Sequence, residues 1–422
     1  MNDSFTLAQI ATWGIACVSV FCVILRPWNL PQALWAVGGA VLLVIFGLLP
    51  LDAAVRGIAA GTDVYLFLFG MMLLAEVSRK EGLFDFLAAV AARFAKGSAA
   101  RLFALIYAVG ILVTALLSND ATAVVLTPAV AATVKSAKIE EPLPYLLICA
   151  LIANAASFVL PIANPANLVI YDNHMPPLPQ WLANYALASV LSIAVTFIVL
   201  RWSQRHSLRQ KMAADVRVPD LTPAAKTAAA GIVVTSVALL TASAFNVNLG
   251  LPTAIAGVLT LAAVLLRERK APWPMMREIS WGILPLVAGL FILVEALAHT
   301  GVIDSLKDFL RYEAAHAAAA SAWGAGTAIA IASNLINNLP AGLIAGSAVR
   351  GAGVSDHITR AILVGVDLGP NLSITGSLAT LLWLDALKRE GLHVSGRAFL
   401  KYGLLVMPPA LIAALAGALA FN

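Results

Sequence analysis

Apolar runs long enough to cross a membrane recur along the whole chain, with short polar turns between them. Three such runs, near residues 8–25, 32–50 and 63–79, come first, and the last occupies 399–420. Each is close to the roughly 20 residues that a helix needs to cross a hydrocarbon core of about 30 Å. The pattern predicts an all-α polytopic membrane protein.

Four further runs do not fit a single straight crossing. Residues 101–136 carry basic residues near both ends, so both ends should lie on one side, with "SND" at the tip of a re-entrant helical hairpin. Residues 320–350 form the equivalent hairpin in the second half of the chain, which enters from outside and has its tip at "NLINNLP". Residues 143–171 and 358–387 are each nearly 30 residues long and contain polar, Pro-rich interruptions, "NAASFVLPIANPAN" and "DLGPNLSITGS". We interpret each of these two as a broken helix.

A weak internal repeat relates the two halves of the chain. "LLAEVSRKEGLFD" (73–85) aligns with "ILVEALAHTGVID" (292–304) at an offset of 219 residues. The SND motif aligns with the second tip at an offset of 218, which places Asp120 opposite Asn338. The sequence therefore predicts about ten transmembrane helices in two inverted five-helix repeats, each with one hairpin and one broken helix. The repeats occupy residues 1–200 and 226–422, and a polar linker at 201–225 joins them.

Charge sets the predicted orientation. The linker is rich in Arg and Lys, so it should be cytoplasmic, and both chain termini then fall outside. Four cations fall on the predicted outer side, although the positive-inside rule expects Lys and Arg on the cytoplasmic side. They are Lys307, Arg311, Arg350 and Arg360. We expect a multi-pass protein of the cell inner membrane.

Composition supports a membrane protein and excludes several other classes. Of 422 residues, 61% are hydrophobic and 12% are charged, whereas soluble domains are about 45–50% apolar and about 25% charged. In a membrane protein a net charge of +5 reflects basic loops that set the orientation. We therefore expect no nucleic-acid partner. The six histidines form no HExxH spacing, and we expect neither an enzyme nor a cofactor.

Polar residues at the two tips and two breaks are the candidate site. Unwound backbone at membrane depth is tolerated where it is buried in protein or lines a cavity, and inverted repeats with discontinuous helices are typical of secondary transporters. The site contains two carboxylates, Asp120 and Asp367, and no cation. It suits a neutral solute or a small cation, and a carboxyl group removed from water can carry a proton. The substrate-binding candidates are Ser118, Asn119, Asn164, Asn337, Asn338, Asn371, Ser373 and Thr375.

Each candidate also has a structural alternative. Asp120 and Asp367 could cap half-helices, and the tip asparagines could satisfy backbone groups. Cys17, Cys22 and Cys149 lie in apolar runs, and we expect none of them to bind metal or metalloid.

The motifs resemble the arsenite efflux permease (ArsB) family of the ion transporter superfamily. The resemblance lies in "SNDATAVVLTP" (118–128), "NLINNLPAGLI" (334–344) and above all "DLGPNLSITGSLATLLWL" (367–384). It implies export of trivalent arsenite and antimonite, as neutral hydroxides, in exchange for protons. It also implies partnership with a cytosolic arsenical pump-driving ATPase. "PIANPANLV" (161–169) is similar to sodium/proton and dicarboxylate transporters of the same superfamily, which are the alternative functions.

Overall fold

The computed structural model describes residues 6–172 and 175–420, and the chain termini predicted to lie outside fall beyond this part. Within it all regular secondary structure is helical, apart from one isolated β-bridge between Ser98 and Lys211, so the predicted all-α class is confirmed. The helices are α1 (Leu7–Leu25), α2 (Gln32–Ile45), α3 (Leu51–Ala60), α4 (Thr62–Lys80), α5 (Leu83–Ala95), α6 (Ala99–Leu116), α7 (Asn119–Ala121), α8 (Thr127–Ser136), α9 (Leu143–Ala155), α10 (Pro165–Tyr171), α11 (Leu178–Ser203), α12 (Pro223–Ala244), α13 (Gly250–Glu268), α14 (Trp273–Met276), α15 (Ile283–His299), α16 (Val302–Ile336), α17 (Asn338–Ala352), α18 (Asp356–Leu368), α19 (Leu378–Arg389) and α20 (Gly396–Ala418).

Seven helices of the described residues are long and apolar enough to cross a membrane, and the pair α3 and α4, bent by 46°, would make an eighth. The sequence predicts about ten. The difference arises because α2, α9, α15 and α18, which belong to predicted spans, are only 14, 13, 17 and 13 residues long, whereas α6 and α16, which belong to the predicted hairpins, are long enough to be counted. The segment 46–61 also turns and forms α3 instead of extending the second span.

The helices pack into two groups. The frame helices, which we define as α1–α4 and α12–α15, contact one another most extensively through α4 with α13 and α2 with α15. The hairpin helices, defined as α5–α11 and α16–α20, do so through α16 with α18 and α11 with α20. Contacts between the groups are sparser, so the fold contains two bodies with a seam between them.

Glycine allows the closest backbone approach inside each group. A Cβ on Gly257 of α13 would lie 2.6 Å from the Gly70 carbonyl oxygen of α4. A Cβ on Gly365 of α18 would lie 2.2 Å from the Gly326 carbonyl oxygen of α16. Small residues at such contacts are how membrane helices gain packing energy without a hydrophobic driving force.

The linker packs beside both ends of the 101–136 segment. Ser98, before α6, forms the isolated bridge with Lys211, and Ala213 donates its amide to the Ala137 carbonyl, after α8, at 2.8 Å. The Gln210 side-chain oxygen accepts two backbone amides, from residues 140 and 141, each at 3.0 Å. The chain thus enters and leaves this segment on the linker side.

Three of the four cations that break the charge rule donate to carbonyls at helix C-termini. Arg311 donates to Gly351 and Ala352 carbonyls at the end of α17, at 2.6 and 3.0 Å. Arg350 donates to the last turn of α10 at 2.8 and 3.0 Å, and Arg360 to the last residue of α20 at 3.5 Å. A helix C-terminus carries partial negative charge. These arginines therefore have a structural role that a count of loop charges does not consider.

Candidate functional site

The first tip is a sharp break between α6 and α7. Ser118 is extended (φ −177°, ψ 168°), and its Oγ accepts the Ala121 amide at 3.2 Å. The Asn119 Oδ1 accepts the Asp120 amide at 2.9 Å. A π-helical turn, Thr122–Leu126, then joins α7 to α8. Serine and asparagine at this point satisfy the amides that begin a helix, which is why the chain breaks here.

Asp120 faces a cavity of about 480 Å³ that lies at the seam between the two groups. Hairpin helices contribute Ser118, Asp120, Val124 and part of α19. Frame helices contribute the second half of α4 and residues 277–283. Asp120 is partly exposed, whereas Ser118 and Asn119 are buried. The first tip is therefore the predicted site region that reaches an open cavity.

Charged residues surround the mouth of this cavity. Glu76 accepts two hydrogen bonds from Arg79, at 2.7 and 3.0 Å, and Arg79 also pairs with Glu278. Lys80 binds Glu278 at 2.8 Å. Hydrogen bonds from Lys80 and Arg79 lower the pKa of Glu278. Across the seam, Arg26, which directly follows α1 of the frame helices, binds Asp385 of α19 at 2.6 Å.

The second tip rests on the break between α18 and α19. Asn337 has a positive φ of 72°, and its Oδ1 accepts the Leu339 amide at 3.3 Å. Its Nδ2 donates to the Thr375 carbonyl at 3.4 Å, and the Asn338 amide donates to the Gly376 carbonyl at 2.8 Å. These bonds attach the tip to the neighbouring broken helix.

Asn334 organises this junction, although the sequence-derived list of binding residues omits it. Its Oδ1 accepts from the Ser373 amide at 3.0 Å and hydroxyl at 2.8 Å. Its Nδ2 donates to Ala330 and Gly369 carbonyls at 2.8 and 3.0 Å. Thr375 Oγ1 donates to the Asn334 carbonyl at 2.8 Å. The position of Asn334 in "NLINNLP" could have identified it from the sequence. Its long-range partners could not be predicted in this way.

The two broken helices contact each other through amide side chains. Asn154 Nδ2 at the end of α9 donates to Asn371 Oδ1 at 3.0 Å, and Asn371 Nδ2 donates to the Leu151 carbonyl at 2.9 Å. Asn164, which caps α10, donates its Nδ2 to Asp367 Oδ1 at 2.8 Å. All four side chains are 2% exposed or less. The structure therefore joins residues more than 200 positions apart.

The predicted site residues thus fall into two regions. The second tip and both breaks are connected by hydrogen bonds and include Asn164, Asn337, Asn338, Asp367, Asn371, Ser373 and Thr375. The first tip, with Ser118, Asn119 and Asp120, packs against α9 and α19 and faces the cavity.

The cysteines lie apart from the cavity lining. Cys17 and Cys22 are on α1, exposed and partly exposed, and Cys149 is fully buried in α9. In the described part of the chain, no group of three or more His, Cys, Asp or Glu residues is placed to hold a metal ion.

Sequence comparisons give a consistent class of relatives. The family model "Citrate transporter" (CitMHS) matches residues 20–366. An arsenical pump membrane protein of Escherichia coli K12 is 27% identical over 417 residues, 96% of each chain. Its counterpart from Yersinia enterocolitica is 27% identical over 361 residues, 82% of this chain and 83% of that one. The predicted resemblance is confirmed.

Two solved transporter structures share the fold. The Alcanivorax borkumensis YdaH transporter aligns with a TM-score of 0.55 at 14% identity and covers 98% of this chain and 97% of its own. Neisseria gonorrhoeae MtrF, described as belonging to a class of antimetabolite efflux pumps, aligns with a TM-score of 0.55 at 11% identity, over 99% and 96%. At these identities the likeness concerns the fold alone.

Proposed function

The chain belongs to the citrate transporter family and is a multi-pass membrane transporter rather than an enzyme, and from this premise we propose that it exports trivalent arsenite and antimonite in exchange for protons. The observation that carries the proposal is the cavity at the seam. It reaches a carboxyl group, Asp120, beside the neutral hydrogen-bonding groups of the first tip. The proposed cargo is inferred from relatives that are named arsenical pump membrane protein.

The site's chemistry suits neutral hydroxides. Arsenite and antimonite at neutral pH carry hydroxyl groups that both donate and accept hydrogen bonds. Serine hydroxyls and asparagine amides do the same. Ser118, which lines the cavity, and the neighbouring Asn119 provide such groups at the first tip, and binding roles for Ser373 and Thr375 at the second break stay predictions. No thiolate is required, so the cargo can be released quickly.

Asp120 is the proposed proton carrier. It faces the cavity, so it can exchange protons with water when that side is open. One proton that crosses about 100 mV and one pH unit releases roughly 3.7 kcal/mol, which sustains a gradient of several hundred-fold. Because the cargo is neutral, each cycle would move one charge, and both membrane potential and pH gradient would drive export. The proton-coupling role of Asp367, which is fully buried, stays a prediction.

Movement of the hairpin helices against the frame helices would give alternating access. The cavity mouth is surrounded by residues of turns that the sequence predicts to be cytoplasmic, so this conformation would be open to the inside. We place the protein in the cell inner membrane, and partnership with a cytosolic arsenical pump-driving ATPase stays a prediction.

Everted membrane vesicles test this function. With an acid lumen, vesicles containing the protein should accumulate radiolabelled arsenite and antimonite. Asp120→Asn should abolish accumulation, and Asp52→Asn, which changes an exposed carboxylate paired with Arg56 on the same helix, should preserve it. If neither arsenite nor antimonite accumulates in vesicles that contain the parent protein, the proposed cargo is refuted.

A second cargo class is favoured by the family description. Citrate and dicarboxylates need cationic partners, and Arg277 and Arg389 line the cavity. The same vesicles loaded with labelled citrate or succinate distinguish the two, since carboxylate transport without metalloid transport would select this alternative.

A further inference from the structure

Exposed Lys and Arg residues concentrate where the linker packs against the hairpin helices. They belong to three chain segments, 93–101, 135–141 and 201–217, which the Ser98–Lys211 bridge and the hydrogen bond from Ala213 to Ala137 hold together. These segments contain ten Lys and Arg residues, all exposed, and three carboxylates. We call the ten cations of the three segments the basic face.

The linker presents its cations from a backbone that is packed onto the protein. Leu208 and Val216 are buried, at 7% and 4% exposure, whereas Arg209 and Arg217, each the next residue along the chain, are exposed. The linker is thus apolar toward the protein and basic toward its surroundings. Because the backbone already holds these cations on one surface, little conformational entropy is lost when they bind a ligand.

None of the ten cations forms an ion pair with a carboxylate in the described part of the chain. Cations beside the frame helices that are predicted to lie on the same side behave differently. Arg79, Lys80 and Lys270 each pair with a carboxylate, at 2.7, 2.8 and 3.4 Å. The positive-inside rule counts Lys and Arg whether or not they are paired. It therefore explains the side on which the basic face lies but not its lack of counter-charges.

The basic face lies at the level expected for lipid headgroups. Arg101 is the third residue of α6 and Arg201 the third from the end of α11, and both helices are long and apolar enough to cross a membrane. In the same segments Phe94 and Trp202 are 63% and 56% exposed, and Arg205 Cζ lies 4.9 Å from the centroid of the Trp202 ring. Aromatic and basic residues at the ends of spans are typical of the membrane–water interface. At this depth the nearest available anions are lipid phosphates.

We propose that the basic face binds the headgroups of anionic phospholipids in the leaflet on the linker side. Guanidinium and ammonium groups donate charge-assisted hydrogen bonds to phosphate oxygens. A phosphatidylcholine headgroup combines its phosphate with a quaternary ammonium, which the basic face repels, so lipids with a net negative charge should be preferred. Each cation close to an anionic lipid surface strengthens binding about fivefold.

This binding attaches the lipid to one of the two groups of helices. All three segments that form the basic face belong to the hairpin helices or directly follow them. None of the ten cations lines the cavity at the seam. The proposal therefore goes beyond the transport function proposed above and does not depend on it.

Lipid titration of the purified full chain in detergent, followed by native mass spectrometry, tests this proposal. Phosphatidylglycerol should bind at concentrations at least about fivefold lower than phosphatidylcholine with the same acyl chains. Added ammonium acetate should reduce this difference, because salt screens exposed charges.

A double variant, Arg205→Gln with Arg209→Gln, removes two cations of the basic face. It should raise the dissociation constant for phosphatidylglycerol about fivefold or more and leave that for phosphatidylcholine unchanged. The matched control, Arg56→Gln with Lys307→Gln, removes the same charge from cations that are paired with carboxylates within α3 and α16. The control should bind phosphatidylglycerol like the parent.

Three results would overturn the basic face as a lipid site. They are equal affinities for phosphatidylglycerol and phosphatidylcholine, an unchanged dissociation constant in the folded double variant, and a loss of affinity in the control as large as in the double variant. Binding of polyglutamate without any preference for phosphatidylglycerol would instead assign the surface to an acidic protein. If the double variant does not fold, Lys96→Gln with Lys138→Gln supplies the same test. Vesicles that fail to accumulate arsenite would leave the lipid titration unaffected, so the two proposals can fail separately.

Discussion

The ion pair between Arg26 and Asp385 should stabilise the conformation in which the cavity is open. It joins a frame helix to a hairpin helix with Nη1 and Oδ2 2.6 Å apart, and the two side chains are 25% and 35% exposed. A partly exposed pair of this kind contributes about 1 kcal/mol. Arg26→Gln should therefore shift the ratio of cavity-open to cavity-closed protein about fivefold toward closed.

Cysteine accessibility measures this ratio. Val124 lines the cavity, so Val124→Cys can be introduced after Cys17, Cys22 and Cys149 have been replaced. A membrane-impermeant maleimide added from the linker side should label the parent protein readily. It should label the Arg26→Gln variant more slowly, because less of the protein presents the open cavity.

A double-mutant cycle provides the control. Asp385→Asn should have the same effect as Arg26→Gln, the double variant should be no slower than either, and the charge-reversed pair should recover part of the labelling. Arg56→Gln, which removes a pair within α3, should leave labelling unchanged. Additive effects, or no effect of Arg26→Gln, would refute a role for this pair in the conformational equilibrium.

Three further predictions concern stability. Asn334→Ala leaves several buried partners unsatisfied and should lower the free energy of unfolding by about 2–4 kcal/mol, measured by thermal unfolding in detergent. Gly257→Ala places a methyl 2.6 Å from the Gly70 carbonyl and should cost about 1–3 kcal/mol, whereas Gly14→Ala, with nothing within 4 Å, should cost little in the same assay. Because the pKa of Glu278 is lowered in the folded protein, its contribution to stability is present at neutral pH and is lost as the pH falls through this lowered pKa. Glu278→Gln should therefore reduce the decrease in melting temperature at acid pH. An unchanged dependence of the melting temperature on pH would contradict this.

The positions at which the helices break could be predicted from polar residues close by in the sequence. Ser118 and Asn337 stand where backbone geometry departs from helix. The half-helices of the predicted broken helices 143–171 and 358–387 also end close to the predicted interruptions at 154–167 and 367–377. Such breaks are local events, because capping side chains and prolines act on neighbouring backbone groups.

Partners across the molecule could not be predicted. Spacing in the sequence identified Asn164 and Asp367 as polar residues at breaks, but their hydrogen bond depends on how two half-helices meet in space. Asn154 and Asn334 begin the quoted stretches "NAASFVLPIANPAN" and "NLINNLP" and are nevertheless absent from the predicted binding residues for the same reason. The sequence predicts that both tips and both breaks surround one solvated site; in this structure the first tip faces the cavity, and the contact between the two broken helices is buried.

Charge counting could not assign a role to the arginines that it predicts to lie outside, for a related physical reason. The positive-inside rule treats Lys and Arg as free loop charges. Arg311, Arg350 and Arg360 instead donate to helix C-terminal carbonyls, which only the three-dimensional structure shows.

Proton movement driven by arsenite in proteoliposomes tests the central claim most directly. With purified protein and a pH-sensitive dye in the lumen, an outward arsenite gradient should acidify the lumen as arsenite leaves. Asp120→Asn should stop the acidification and retain arsenite exchange at equilibrium. Arsenite flux through the parent protein without any proton movement, or undiminished acidification with Asp120→Asn, would contradict proton-coupled export through Asp120.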